Sequence, residues 1–349
     1  MLTRIKSNVE RELRKIGEEF SRPPLNAIPG KFGAAIDQFV QRKGKRLRAV
    51  LFVVGYKGFT DRQARNLYRS AASLELLHDF ILIHDDLIDH ASIRRGSPSM
   101  HACLDTLLDG KNGLRFKGSD LAIIIGDMMY AMAIQAFLSI SEDPVRKQEA
   151  LSILTETALF TGCGELDELL QTLRPLSEVD PKDIYRIYDW KTGHYSFTSP
   201  LTMGATLAGA SRKDIRLFRQ VGQDLGRAFQ IRDDLLDLYG DGDRFGKPGL
   251  LDLQEGKKTL PVWYAYHNCP AKHKARMRVV LEQPGASKKQ IREIAGIIDS
   301  SGAADYAEGE MEQLVKKSVE RLRKTAMRPT YRDFLIDYVS KMLTPPART

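Results

Sequence analysis

Cysteine is scarce in this sequence, and so are the signatures of sheets, membranes and repeats. Cys103, Cys163 and Cys269 are the only three thiols in 349 residues, far apart and without a CxxC pair. That excludes a disulfide framework and a cysteine zinc centre, and a reducing cytosol is the expected compartment. No uninterrupted apolar run approaches the roughly 18 residues of a membrane span, so no integral membrane segment is expected. The first twenty residues carry charges at helical spacing (Arg4, Glu10, Arg14, Glu18) instead of the apolar core of a secretion signal. Repeats of fixed period and low-complexity tracts are absent. Alternating β-branched runs bounded by turn residues are hard to find, which leaves little material for a sheet.

What is present is helical. Leu67, Ala71, Leu74, Leu77 and Ile81 form one face of a long helix, as do Ile215, Phe218, Val221, Leu225 and Phe229. Ile123 to Ile125 read as part of another buried helix, capped by Asp120. Breaks fall at Pro23-Pro24, Gly96 to Pro98, Gly110 to Gly118, Pro175, Pro181, Gly240 to Gly249, Pro270, Pro284 and Pro345-Pro346. They cut the chain into a dozen or more short-linked helices. Length alone suggests two domains. With no long linker between halves, one all-α domain over residues 1–349 is the reading. Hydrophobic content of 42% and charged content of 28% are those of a soluble globular protein. The net charge of +8 and pI near 9.2 point to an anionic partner. The basic residues are dispersed and no nucleic-acid module stands out, so a small phosphorylated ligand is expected and nucleic acid is not.

The strongest chemical signal occurs twice: Asp85-Asp86-Leu87-Ile88-Asp89 and Asp233-Asp234-Leu235-Leu236-Asp237. On a helix, positions i and i+4 lie one above the other and i+1 about 100° around, so each copy presents a carboxylate pair with a third on its flank. One such motif is as readily a solvated acidic face. Two, each with aliphatic neighbours inside an apolar helix, are harder to explain that way. Six carboxylates brought together need cations to stay ionised. Oxygen-only donors suit Mg²⁺, which favours a few carboxylates plus phosphate oxygens, with Mn²⁺ as an alternative. A diphosphate held by bridging metals follows. His78 lies two turns before Asp85 on the same face, where a hydrogen-bonded core histidine is the default. Gly222, Gly226, Gln230, Asp233 and Asp237 make a second stripe, whose glycines leave room for a ligand or for close helix packing.

Cations bracket both motifs. Gly44-Lys45-Arg46-Leu47-Arg48 opens a helix, a favourable place for an anion. Arg94-Arg95-Gly96 follows the first motif at a turn, from which arginines reach back to bound phosphate or to the aspartates themselves. Lys191-Thr192 precedes Pro200. Lys247 and the run Glu255-Gly256-Lys257-Lys258-Thr259 follow the second motif.

This series of motifs resembles the polyprenyl synthetase family, the trans-isoprenyl diphosphate synthases, from about Lys43 to Pro261. The resemblance implies an all-α isoprenoid synthase fold, with antiparallel helices around a deep central cavity, normally as a homodimer. It assigns Lys45, Arg48, His78 and Arg95 to isopentenyl diphosphate, and Arg94, Lys191, Lys247 and Lys257 to the allylic diphosphate. Asp85, Asp89 and Asp233 match magnesium ligands, with Asp86, Asp234 and Asp237 in support. Thr192 and Gln230 match polar groups near the developing carbocation. Metal and cations stabilise the departing diphosphate, the double bond of isopentenyl diphosphate attacks, and a proton is lost. Departures are Lys43 and Ala49 where glycine and proline are common, Glu165 where glutamine is frequent, and a long stretch from Cys103 to Gly118 that ends basic.

Chain length in this family is set at the floor of the cavity, on the first aspartate helix. Leu77, Phe80 and Ile81 stand there, with no insertion between Asp86 and Asp89, as in geranylgeranyl diphosphate synthases. Phe80 is equally well placed as a core residue on a neighbouring helix. Farnesyl or longer products are the alternative outcome. A His-Asp metal phosphohydrolase using His78, His84 and Asp85 would leave the second motif idle. A terpene cyclase would leave Lys45, Arg48 and Arg95 idle. A non-catalytic partner subunit would be expected to lack one motif.

Overall fold

Helices carry almost the whole backbone of the computed structural model, which describes residues 1–19, 22–94, 96–110, 113–240 and 249–345. The all-α expectation is borne out. Among the described residues the strands amount to Ile93–Arg94 paired antiparallel with Ser97–Pro98. The chain groups into two compact units, Met1–Leu154 with Met203–Ala210, and Thr155–Thr202 with Ser211–Thr349.

The first unit is organised around a helix that is buried for most of its length. Helix α1 (Leu2–Glu18) contributes Ile5, Val9, Leu13 and Ile16, one face at spacings of four, four and three. After α2 (Gly30–Val40) comes α3 (Leu47–Lys57), buried on all sides from Leu47 to Tyr56. Helix α4 (Leu67–Ile88) packs against α1, α3 and α6. Leu67, Ala71, Leu74 and Leu77 face inward as their spacing predicts, and each fully buried leucine contributes about 1.5–3 kcal/mol. Helix α5 (Met100–Leu108) leads to α6 (Gly118–Leu138). Ile123 to Ile125 are helical as expected, but only Ile125 is buried, Ile123 and Ile124 being 46% and 58% exposed, and Asp120 is not the cap. It sits in the first turn and accepts the Lys117 backbone N–H at 2.7 Å, while Asp105 accepts that of Gly118, so the helix begins at Gly118.

Helix α6 also qualifies the expectation about membranes. Asp120 and Asp127 break its apolar run, yet an 18-residue window averages a hydropathy of 1.8, enough by length and composition to cross a bilayer. Its Ala122, Ile125, Met129 and Ala133 are buried inside the unit, while Ile123, Ile124 and Leu138 are exposed.

The second unit takes in the C-terminal part of α7 (Pro144–Thr172). Helix α8 (Pro181–Ile187) is capped by Asp180, which accepts the Lys182 N–H at 2.7 Å. The backbone then widens into a π-helical segment, Tyr188–Thr198, whose end is marked by Ser199 N–H bonding to His194 O, five residues back. Helix α9 (Ser199–Ala208) belongs to the first unit from Met203 on, and α10 (Arg212–Tyr239) is again in the second, with Phe218, Val221 and Leu225 fully buried. Short α11 (Leu251–Gln254) leads to α12 (Leu260–Asn268), α13 (Ala271–Leu281) and α14 (Lys288–Ser300). Val262, Met277, Ile291 and Ile294 from these helices share one core. Helix α15 (Ala303–Arg323) runs along α10, where Arg321 pairs with Asp224, and α16 (Pro329–Met342) packs on α15.

Candidate active site

In the first unit the aspartate motif closes the C-terminal end of α4. Asp89 is the helix C-cap, its N–H bonded to Asp85 O at 2.8 Å. The small hairpin beyond it turns at Gly96, whose φ of +72° suits a residue without a Cβ. It returns Arg94 onto the motif: Nη2 lies 2.6 Å from Asp85 Oδ2, and Nε donates to Asp86 Oδ1. Burial lowers the Arg94 pKa, and the charges of Asp85, Asp86 and Asp89 more than offset it, so the guanidinium stays charged. Pairing with the aspartates, one of the two readings open for this arginine, is therefore what the structure shows. Arg95 and Lys247 lie outside the described residues.

Arg48 and His78 are buried, on α3 and α4, and Lys45 is exposed in the segment leading to α3. The start of α3 already has an anion. Glu75 accepts the Ala49 N–H at 3.2 Å and lies 3.5 Å from Arg46. Nothing in the spacing of the basic run marks Arg46, at φ 54°, as the buried arginine paired with this glutamate. His84 turns to α6: its Nδ1 is 3.0 Å from Phe80 O, its Nε2 is 3.7 Å from Asp127, and a Cβ on Gly126 would overlap its ring. Phe80 packs on His84 and on Tyr130 of α6, with centroids 4.8 and 5.2 Å apart. Leu77 is buried and Ile81 half-buried.

In the second unit the site is assembled around the π-helical segment. Gly164 of α7 and Gly222 and Gly226 of α10 are the contact points. A Cβ at Gly164 would overlap Lys191 N, one at Gly222 would overlap Thr198 Cα, and one at Gly226 would overlap Gly193 Cα. Close helix packing is thus the reason for the glycine stripe.

The wider turn carries Tyr188, Lys191 and Thr192. Thr192 Oγ1 donates to Gln230 Oε1 at 2.7 Å, and Gln230 Nε2 donates to Asp234 Oδ1 at 2.9 Å. The Tyr188 hydroxyl donates to Asp234 Oδ2 and accepts the Leu260 N–H at 2.9 Å. Burial pushes the Asp234 carboxyl up to about 7 against the pull of these two hydrogen bonds, and burial with the Asp234 charge raises Tyr188 well above the usual tyrosine range.

Lys191 Nζ lies 2.8 Å from Glu165 and 2.5 Å from Glu168, and Lys257 Nζ lies 2.6 Å from Glu255 and 3.6 Å from Glu168. Buried Lys258 donates to Gln171 O and Thr172 O at the end of α7, at 2.7 and 3.0 Å. Its pKa falls to about 8, chiefly through burial. A small cleft borders these groups, lined among others by Glu168, Gln171, Tyr188, Lys257 and Lys258. Sequence reasoning missed Tyr188 and Glu168, which belong to no spaced motif, and it read Lys258 only as one of the cations after the second motif, where the structure buries it in a clamp on α7.

The two aspartate motifs share one pattern of burial. Asp86 and Asp234 are 0% and 1% exposed and are tied to Arg94 and to Tyr188 with Gln230. Asp85, Asp89, Asp233 and Asp237 are half-buried. Asp237 serves the backbone, accepting the N–H groups of Leu251 and Asp252 at 3.1 and 3.0 Å. Among the described residues no group of three or more His, Cys, Asp or Glu side chains is arranged to hold a metal alone. Half-buried aspartates without a closed cage fit Mg²⁺, which takes one or two carboxylates and fills its shell with water and phosphate oxygens.

The polyprenyl synthetase family profile matches residues 30–298. Geranylfarnesyl diphosphate synthase of Aeropyrum pernix is 31% identical over 325 residues, covering 90% of this chain and 95% of the relative. Geranylgeranyl diphosphate synthase of Sulfolobus acidocaldarius is 31% identical over 303 residues, 86% of each chain. Among solved structures, a geranylgeranyl pyrophosphate synthase from Corynebacterium glutamicum, complexed with isoprenyl diphosphate and magnesium, has a TM-score of 0.88 at 23% identity. It covers 99% of this chain and 100% of that one, and the likeness supports the fold.

Proposed function

From the premise that the chain belongs to the polyprenyl synthetase family, and so is a prenyltransferase, we propose that it condenses isopentenyl diphosphate with an allylic diphosphate and makes chiefly geranylgeranyl diphosphate. The observation that carries the reading is the common division of labour in the two motifs. Each keeps one aspartate locked in a buried hydrogen bond and sets half-buried carboxylates beside it, Asp85 and Asp89 in the first and Asp233 in the second.

Asp85, Asp89 and Asp233 are the residues that would hold magnesium or manganese. The ion supplies charge stabilisation of the leaving group. Arg94, Lys191, Lys247 and Lys257 bind the allylic diphosphate, so Arg94 exchanges its aspartate partners for phosphate. Lys45, Arg48, His78 and Arg95 bind isopentenyl diphosphate. The Thr192 hydroxyl proton is committed to Gln230, which leaves its oxygen lone pairs to face positive charge developing on the allylic carbon. Leu77, Phe80 and Ile81 limit chain length.

Residues 1–349 act as one cytoplasmic polyprenyl synthetase domain, and two copies form a homodimer. Support for the dimer comes from α7. Leu159, Cys163, Leu166 and Leu170 recur there at spacings of four, three and four, and all are exposed. Such a seam suits a second apolar helix.

Purified protein given isopentenyl diphosphate, Mg²⁺ and dimethylallyl, geranyl or farnesyl diphosphate should yield a twenty-carbon product, sized by chromatography. Absence of chain extension with every primer would sink the reading. Products of fifteen or twenty-five carbons would leave the reaction standing and move the chain-length assignment.

A further inference from the structure

Glu165 departs from the glutamine frequent at this position in the family, and the structure places its charge on a lysine assigned to the allylic diphosphate. The inference rests on that assignment. Gly164 sets the geometry, since the missing Cβ lets α7 approach the π-helical backbone at Lys191. One residue on, Glu165 Oε2 lies 2.8 Å from Lys191 Nζ, and Glu168 Oε2 completes the pair at 2.5 Å. The three side chains are only 15–18% exposed, so the interaction is weakly screened. Lys191 faces two carboxylates where an anion is to bind, and Glu168 is also 3.6 Å from Lys257.

An ammonium has three donors, and carboxylates here engage two of them. An incoming anion must compete with these carboxylates for the ammonium. A glutamine at position 165 would keep an acceptor oxygen without the charge. We propose that Glu165 is a built-in competitor for the diphosphate at Lys191, setting a threshold that a metal-bound diphosphate crosses and a weakly charged anion does not. It is a specificity-determining residue for charge. The ligand class it admits is a metal-complexed diphosphate ester, and the class it rejects is a monophosphate.

Calorimetry with inorganic pyrophosphate and Mg²⁺ tests this on the intact protein. Glu165→Gln should bind magnesium pyrophosphate roughly tenfold more tightly, the scale expected of coupling through one charge. It should lower the KM for the allylic diphosphate by a similar factor, leave the KM for isopentenyl diphosphate unchanged, and make inorganic phosphate binding measurable. In a Lys191→Met background the same substitution should change pyrophosphate affinity less than twofold. Unchanged or weaker binding in Glu165→Gln overturns the inference, as does a gain that persists without Lys191, because the effect would then not pass through that ammonium. Wild-type protein that binds no magnesium pyrophosphate and extends no primer overturns the assigned function itself, a result distinct from either.

Discussion

Individual carboxylates in the two motifs have different work to do, and burial separates them. Asp86 and Asp234 cannot give up their partners cheaply, because a buried polar group left unpaired costs about 1–3 kcal/mol. Asp85→Ala and Asp233→Ala should therefore reduce turnover by at least about 10²-fold with little change in the urea midpoint. Asp86→Ala and Asp234→Ala should lower both. Equal stability loss in all four variants would refute the division. Phe80 packs on Tyr130 and His84, a contact that both a floor and a core residue would make. If the side chain limits growth, Phe80→Ala should lengthen the product by at least one five-carbon unit in the chromatographic assay. A product distribution identical to wild type would assign Phe80 to the helix contact alone.

Among the elements, the π-helical segment matters most. It presents Tyr188 to Asp234, Lys191 to Glu165 and Glu168, and Thr192 to Gln230, and it fits against α10 only because Gly193 and Gly226 meet without side chains. Gly226→Ala should cost about 1–3 kcal/mol in urea unfolding, the usual range for overpacking, and should depress turnover more than the lost stability alone explains. A fully active, equally stable variant would show that the segment can shift without consequence. The same element carries an acid-sensitive residue. His194 stacks on Phe160 at 4.4 Å and shares a hydrogen bond with Ser199 at 3.0 Å, and burial, with help from Arg219, lowers its pKa to about 4. The unfolded chain, with a histidine pKa near 6.5, binds more protons than the folded one between these values. The contribution of neutral His194 is thus complete above about pH 6.5 and lost as the pH falls toward 4. Unfolding midpoints measured from pH 7 to pH 4 should fall more steeply for wild type than for His194→Gln. Parallel slopes would remove His194 as the cause.

For the whole molecule, the proposed assembly makes the sharpest claim. Leu166 is 58% exposed in the middle of the α7 seam, and a charge there would have to be desolvated against a partner. Leu166→Glu should sediment as a monomer at concentrations where wild type is a dimer, with an unaltered circular dichroism spectrum. Two-copy sedimentation by the variant would place the contact between copies on another surface.

The sequence by itself determined the helical class, the family and the identity of the charged groups. Apolar residues at 3.6 spacing admit one kind of element, and the two aspartate motifs with their flanking cations are local strings, readable without knowing what lies nearby. It also determined that Ile123 to Ile125 are helical, though the boundary moved because Asp105, thirteen residues before Gly118, takes the first N–H. Only the tertiary structure decided which aspartate of each motif is locked and which is offered, since burial depends on Arg94, Tyr188 and Gln230 arriving from other elements. It alone decided that the α10 glycines serve close packing, and that the turn bearing Lys191 is a π-helix. Both follow from how closely separate backbones approach, a property of pairs of elements that one-dimensional spacing does not carry.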